Sequence, residues 1–295
     1  MKLKAYMATA VLSLAVTFAA FAAPIDWESA PAVQKGVRLV HIERTEPRLM
    51  KAYMMRIDLK TPGLRFTGTR RDADWGRPMP DYTNGIIRTR RVTTERFLLA
   101  ERKAGRDMIV AFNSAGWSPW CSPFNHIYGD PGGICITDGI VVSDAPRPKN
   151  HLFVAWKDGT CEIRDGIPED RRADAQVAYR GFDIIMKGGK ESMEPSRNTA
   201  KALHPRTAYG LSADGRWLYV LAVDGRQEGW SLGADYHDLV EFMRDAGASD
   251  AINMDGGGST TMIYWDGKRV VRVNRHDPKR MYWRKNGVNM GIYIE

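Results

Sequence analysis

Residues 37–42 read Val-Arg-Leu-Val-His-Ile, with apolar and polar side chains taking turns. That period belongs to a strand with one buried face. Residues 52–59, stopped by Thr61-Pro62-Gly63, and residues 64–69 read the same way. Residues 70–91 are basic and carry Pro78 and Pro80, which predicts a loop or crossover. Thr93 and Thr94 then cap a helix over about 95–103, with Gly105 as its stop. Residues 108–112 form a buried strand that delivers Asn113-Ser-Ala-Gly-Trp117. A long irregular stretch follows over 119–133, of a length typical of functional loops. Hairpins are predicted over 134–143, turning at Asp138-Gly139, over 151–163, and over 262–271. A short helix is expected over 170–178, and a strand over 181–186 before Gly188-Gly189. Residues 217–223 are apolar on both faces and predict a central strand. Tyr236, Leu239, Val240 and Met243 give a helical stripe over 233–246, starting from Ser231 and closed by Gly247. Strands at 251–254 and 287–294 complete the pattern. The helix between 217–223 and 251–254 permits one parallel crossover. The expected fold is α+β: mixed, largely antiparallel β-sheets with a few helices and long active-site loops.

Composition adds a location. Met1-Lys2-Leu3-Lys4 is a positive start, residues 5–19 are apolar, and Ala20-Phe21-Ala22 suits signal cleavage. Residues 1–22 are expected to be a signal peptide, and residues 23–295 a single domain. No later run is long and apolar enough to span a bilayer, so the mature chain is expected to be periplasmic or secreted. Of the three cysteines, Cys121 and Cys135 are the favoured disulfide, leaving Cys161. The formal charge is +8, with 43 Lys and Arg against 35 Asp and Glu. Such a balance suits an anionic partner. No helix-turn-helix or zinc-finger spacing supports nucleic acid, which leaves an anionic membrane or an anionic glycan.

The densest chemistry lies in Asp250-Ala-Ile-Asn253-Met-Asp255-Gly-Gly-Gly-Ser259-Thr-Thr-Met262. Three consecutive glycines cost backbone entropy. Close approach of the main chain to a ligand is one reason for them, and successive N–H groups there make an anion-binding concavity. A carboxylate beside it is the usual material for acid or base chemistry. The other reading is a tight turn capped by Asp255. No Lys follows the glycines, so this is not a Walker A loop, and the spacing is wrong for a dinucleotide fingerprint.

That motif, with His204-Pro-Arg-Thr-Ala, Val223-Asp-Gly-Arg226 and Ala111-Phe-Asn113, resembles the phosphodiester glycosidase family. The likeness runs from about Ala52 to Ile294. It departs at Asn113-Ser-Ala-Gly-Trp-Ser, where family members often read Asn-Gly-Gly-Phe-Phe. The resemblance implies hydrolysis of a sugar-1-phosphodiester and leaves the sugar open.

Such a substrate sets the expected roles. The diester is anionic and suits an arginine fork and backbone N–H groups. The anomeric carbon gains positive charge as the bond breaks, and a carboxylate stabilises it or activates water. Asp255 is expected as base or nucleophile, Asp224 as a second carboxylate and His204 as general acid or wall. Asn253, two residues before Asp255, is expected on the same face. Arg206 is the expected phosphate clamp, with Arg226 near it and the N–H groups of Gly256, Gly257 and Gly258 beside Ser259. Asn113 is a candidate ligand, and Trp117 and Trp120 are candidate sugar platforms. Metal-independent hydrolysis is expected, although Asp130, Asp224 and Asp255 would suit Ca²⁺ or Mg²⁺. Two rivals stand beside this reading: a non-catalytic glycan-binding protein, and a metal-dependent phosphodiesterase that cleaves P–O.

Overall fold

A computed structural model describes residues 24–120, 126–192, 201–276 and 283–295. Residues 1–22, expected to be a signal peptide, and Cys121 of the expected disulfide lie outside the described residues. Cys135 is wholly buried, and it and Cys161 are free thiols.

The fold is α+β, built mostly from antiparallel sheets. The largest sheet has eight strands, in the order Ala32–Gln34, Val37–Arg44, Met50–Asp58, Trp217–Val223, Arg206–Leu211, Asp250–Asn253, Asp183–Lys187 and Lys190–Glu191. Every neighbour in it pairs antiparallel. The doubly apolar 217–223 segment is a central strand of this sheet, as its pattern requires. A five-stranded sheet runs Val270–Arg272, Met262–Trp265, Asp107–Asn113, Asn289–Ile294 and Leu64–Gly68. A second five-stranded sheet holds the Ile134–Thr137/Ile140–Asp144 and His151–Trp156/Cys161–Asp165 hairpins around Ala175–Arg180. Asp138 (φ 53°) and Gly139 (φ 76°) both take the left-handed conformation that a two-residue Asp-Gly hairpin turn demands.

The helix Tyr236–Ala246 makes the expected crossover. It joins the 217–223 and 250–253 strands, which run parallel to each other with the 206–211 strand inserted between them. Its start differs from the sequence reading. Asp235, not Ser231, caps it, accepting from the Asp238 N–H while the Asp238 side chain accepts from the Asp235 N–H. Ser231 instead donates to the Asp224 carbonyl at 2.6 Å. The helix buries Leu239, Val240, Phe242 and Met243 on the large sheet, each worth about 1.5–3 kcal/mol. The short helix expected over 170–178 is a six-residue 3₁₀ helix, Glu169–Asp174; Ala175 onward is drawn into the sheet by pairing with the 151–156 and 134–137 strands. Residues 70–91 are also less irregular than expected, with short strands at Pro78–Met79, Tyr82–Ile86 and Thr89–Arg90.

The opposite face of the large sheet packs on the other two sheets. Tyr209 sits at their meeting point. It is fully buried, lies 5.3 Å from the Phe153 ring and 6.4 Å from Phe112, and donates to the Asn113 carbonyl at 2.7 Å. Register then fixes the site. Arg206 pairs with Val223, and Ala208 with Asn253. The start of one strand and the ends of two others therefore share one edge, where Asn113 arrives from the second sheet.

Candidate active site

The 250–253 strand ends at Asn253, and the chain leaves the ladder. The Asp255 N–H bonds the Ser114 carbonyl at 2.9 Å, and the chain turns through the three glycines. Period-two alternation stops with the ladder, so Asn253 and Asp255 take different partners. Asn253 donates to the Tyr236 hydroxyl at 3.1 Å. Asp255 is buried beside Ser259 and Arg284 and accepts from the Gly256 N–H at 3.0 Å. Burial raises its pKa to about 6, against the opposing pull of Ser259, the Arg284 cation and that N–H.

Of the two reasons the sequence suggested for the glycines, a tight turn held by Asp255 is visible here. Gly256 spends its N–H on Asp255, and Gly257 donates to the Pro205 carbonyl at 2.8 Å. Of the three, only the Gly258 N–H makes no such bond among the described residues, so the turn is not an open nest of N–H groups. What excludes side chains is packing. A Cβ at Gly256 would stand 2.7 Å from the Pro205 carbonyl oxygen. One at Gly257, whose φ is +61°, would meet Arg226 Nη1 at 3.3 Å, and one at Gly258 would lie 2.8 Å from Arg284 Cζ. Two guanidinium groups thus lie against the turn that carries the buried carboxylate.

Arg226 comes from the loop after the 217–223 strand, at a φ of 60°. Its Nη2 donates to His204 Nδ1 at 2.9 Å. That contact makes Nδ1 the acceptor and puts the ring proton on Nε2. Burial, then the cations of Arg226 and Arg206, lower the His204 pKa. His204 is therefore a neutral ring with an Nε2–H donor near neutral pH, better suited to hydrogen bonding than to proton delivery.

The Arg206 guanidinium, next to this turn, is engaged by main-chain carbonyls. Its Nε donates to the Ala234 carbonyl at 3.0 Å and its Nη2 to the Ala202 carbonyl at 2.6 Å, and its Cζ lies 4.8 Å from the Tyr236 ring centroid. It ties the His-Pro-Arg segment to the crossover helix. Asp224 is fully buried, and burial raises its pKa. Trp230 Nε1 at 2.8 Å, the Arg275 N–H at 2.9 Å, the Tyr53 hydroxyl at 3.2 Å and Asn274 Nδ2 at 3.4 Å all donate to it. Its oxygens are committed to holding the loop that presents Arg226. Asn113 is likewise buried and engaged: it donates to the Asp255 carbonyl at 2.5 Å and accepts from Thr207 Oγ1 and the Thr261 N–H, both at 2.9 Å. These placements share one physical cause. A polar side chain at a buried strand end must satisfy its neighbours' main chain before it can serve a ligand.

Trp117 is only 7% exposed and is stacked 4.1 Å from Arg91 Cζ, while Trp120 is 59% exposed and lies 4.6 Å from Arg284 Cζ. Among the described residues no group of three His, Cys, Asp or Glu side chains gathers for a metal; Asp130 stands in the separate Tyr128–Pro131 strand, 4.0 Å from Arg88.

Residues 107–295 match the family model described as phosphodiester glycosidase. The chain belongs to that family. At the level of the family, this makes it a hydrolase of phosphodiester-linked glycans. No curated protein matches it. The fold of a phosphodiester glycosidase is also seen in a solved relative, the zebrafish N-acetylglucosamine-1-phosphodiester alpha-N-acetylglucosaminidase catalytic domain, auto-inhibited by its pro-peptide. The two share 18% identity over 92% of this chain and 87% of that one, with a TM-score of 0.63. A hypothetical protein from Synechocystis is similar at 11% identity over 89% of this chain and 63% of its own, with a TM-score of 0.57.

Two residues beside this turn and strand end escaped the sequence reading. Arg284 lies in an aperiodic stretch and is one of 43 Lys and Arg, so nothing local marks it. Phe182 is 43% exposed, and a Cβ at Gly116 would lie 3.0 Å from its ring. An exposed aromatic next to Gly181 was the available signal. No helix among the described residues is long and apolar enough to cross a membrane.

Proposed function

We propose that the protein hydrolyses a sugar-1-phosphodiester in an envelope or extracellular glycan, reached after export to the periplasm or beyond. The observation that carries this reading is a buried carboxylate, Asp255, with a pKa near 6, on a turn flanked by the Arg226 and Arg284 guanidiniums. Phosphate is held between those two cations, with the Gly258 N–H and His204 Nε2–H as further donors. Arg206 acts behind them by positioning the His204 segment. Trp120 gives the sugar a face.

With phosphate so held, the anomeric carbon is presented to Asp255. In the ionised state Asp255 either adds to that carbon or takes a proton from the water that does. The C–O bond breaks, and its electron pair leaves with the phosphate monoester. Water supplies the new hydroxyl of the sugar. The phosphate monoester is a stable anion stabilised by two guanidiniums, so a strong general acid is not required.

A panel of sugar-1-phosphodiesters turned over in ¹⁸O-labelled water tests this. Label in the released sugar is expected. Label in phosphate would mean P–O cleavage and a phosphodiesterase, and no turnover across the panel would leave a glycan-binding protein.

A further inference from the structure

Beyond Arg226 the surface falls into a cavity of about 620 Å³, lined by Arg226, Gln227, Glu228, Trp230, Leu232 and Arg275. Its walls are fixed. The buried Asp224 carboxylate holds Trp230 Nε1 and the Arg275 N–H. The Arg226 N–H bonds the Leu232 carbonyl at 3.2 Å, and the Gln227 N–H bonds the Ser231 carbonyl at 3.0 Å. A Cβ at Gly225 would lie 2.5 Å from the Pro205 nitrogen, so the loop is pressed onto the His204 segment. Arg226 is the partition. It meets Gly257 and His204 on one side and lines the cavity on the other.

The cavity carries more positive charge than one phosphate needs. The Arg275 guanidinium stands 5.0 Å from the Trp230 ring centroid, and Lys51, paired with Glu43, stands 4.6 Å from it. Among the described residues no carboxylate forms an ion pair with Arg275 within 4.0 Å; Glu228 is the lining carboxylate and is exposed. Trp230 and Leu232, the latter 39% exposed, offer an apolar wall between the two arginines.

We propose that this cavity is a second anion subsite, which takes a further phosphate of the aglycone. Preferred substrates are then sugar-1-phosphodiesters whose leaving group is itself phosphorylated, with a short carbon chain against Trp230 and Leu232. This rests on the reading that Arg226 holds the reacting phosphate.

Arg275 is a clean place to test it, because Arg275 is tied to Asp224 through its main chain. Arg275→Ala removes the guanidinium and leaves the buried carboxylate paired. Trp230 is not, since its truncation would strip a donor from Asp224. The full-length mature chain is titrated calorimetrically with methyl phosphate and with a propanediol bisphosphate. Wild type is expected to bind the bisphosphate at least about tenfold more tightly, the equivalent of one charge-assisted hydrogen bond. Arg275→Ala removes that advantage and leaves methyl phosphate binding unchanged. Arg226→Ala weakens both. Arg77→Ala, at an exposed arginine outside the cavity, changes neither and controls for net charge. Arg275→Gln substitutes if the alanine variant unfolds early. Equal affinity of wild type for the two ligands overturns the subsite and leaves the glycosidase reading standing. Equal losses from Arg275→Ala and Arg77→Ala overturn it too, as a general field effect. Failure of wild type to bind either ligand removes the subsite and the phosphate cradle together, and the labelled-water experiment then decides the chemistry alone.

Discussion

Replacing Asp255 with Asn should abolish turnover and yet stabilise the protein. The folded state holds the Asp255 carboxyl at a pKa of about 6, against 3.8 in its unperturbed state, because burial penalises the charged form. A rise of about two units corresponds to about 3 kcal/mol. The sign follows from proton binding. Between about pH 4 and 6 the folded state holds this proton more tightly than the unfolded chain, so stability falls as pH rises through that window. Above about pH 6 the full penalty of the buried charge is present. Asn has the shape of the protonated acid, still accepts from the Gly256 N–H, and carries no charge. Asp255→Asn is therefore expected to match wild type in urea stability at about pH 4. It should gain with rising pH and lead by about 1–3 kcal/mol at about pH 7.5. Turnover falls by about 10²- to 10⁴-fold if the carboxylate is base or nucleophile. Urea titrations of both proteins across this pH range, paired with rates on a working diester, give the answer. A variant that is less stable at neutral pH, a stability difference that does not vary with pH, or a near-normal rate would refute the assignment.

The wild-type rate should itself fall as pH drops through about 6, because the reaction needs ionised Asp255; a pH profile of kcat/KM flat from about 5 to 8 would contradict this. Asn113→Ala removes three buried hydrogen bonds beneath the glycine turn. It should cost about 2–4 kcal/mol in chemical unfolding, with kcat lowered more than KM is raised, as for a residue that positions Asp255. Asp224→Ala leaves the buried Tyr53 donor and the part-buried Trp230 and Arg275 donors unpaired and should cost a similar amount; addition of chelator or of Ca²⁺ should change neither stability nor rate. Trp120→Ala, at an exposed ring, should shift stability by no more than about 0.5 kcal/mol while raising KM, whereas Trp117→Ala should cost about 3–5 kcal/mol of stability.

Local rules carry a long way in this chain. The alternation in 37–42 and 52–59, the Asp-Gly turn at 138–139 and the stripe from Tyr236 to Met243 each depend on residues only a few positions apart. Side-chain period and turn conformation are set at that range, so these elements could be read directly. The motifs around Asp255, His204, Arg226 and Asn113 could also be picked out, and the fold brings all four together at one end of the large sheet. Their division of labour could not be read, because it depends on partners far away in sequence. Arg206 is taken up by the Ala202 and Ala234 carbonyls, Asp224 by Trp230 and the Arg275 N–H, and Asn113 by Thr207, Thr261 and the Asp255 carbonyl. A buried polar group goes to whichever donor or acceptor the packed fold places beside it, and that is a property of the tertiary arrangement. Arg284 shows the same from the other side: it is anonymous among many basic residues until folding sets it against Gly258. By itself the sequence determined the elements, the antiparallel class and the acidic glycine turn. Only the folded chain decided which cations flank that turn and which polar residues hold it up, because burial and long-range contact, not residue type, set the charge and the partners of each group.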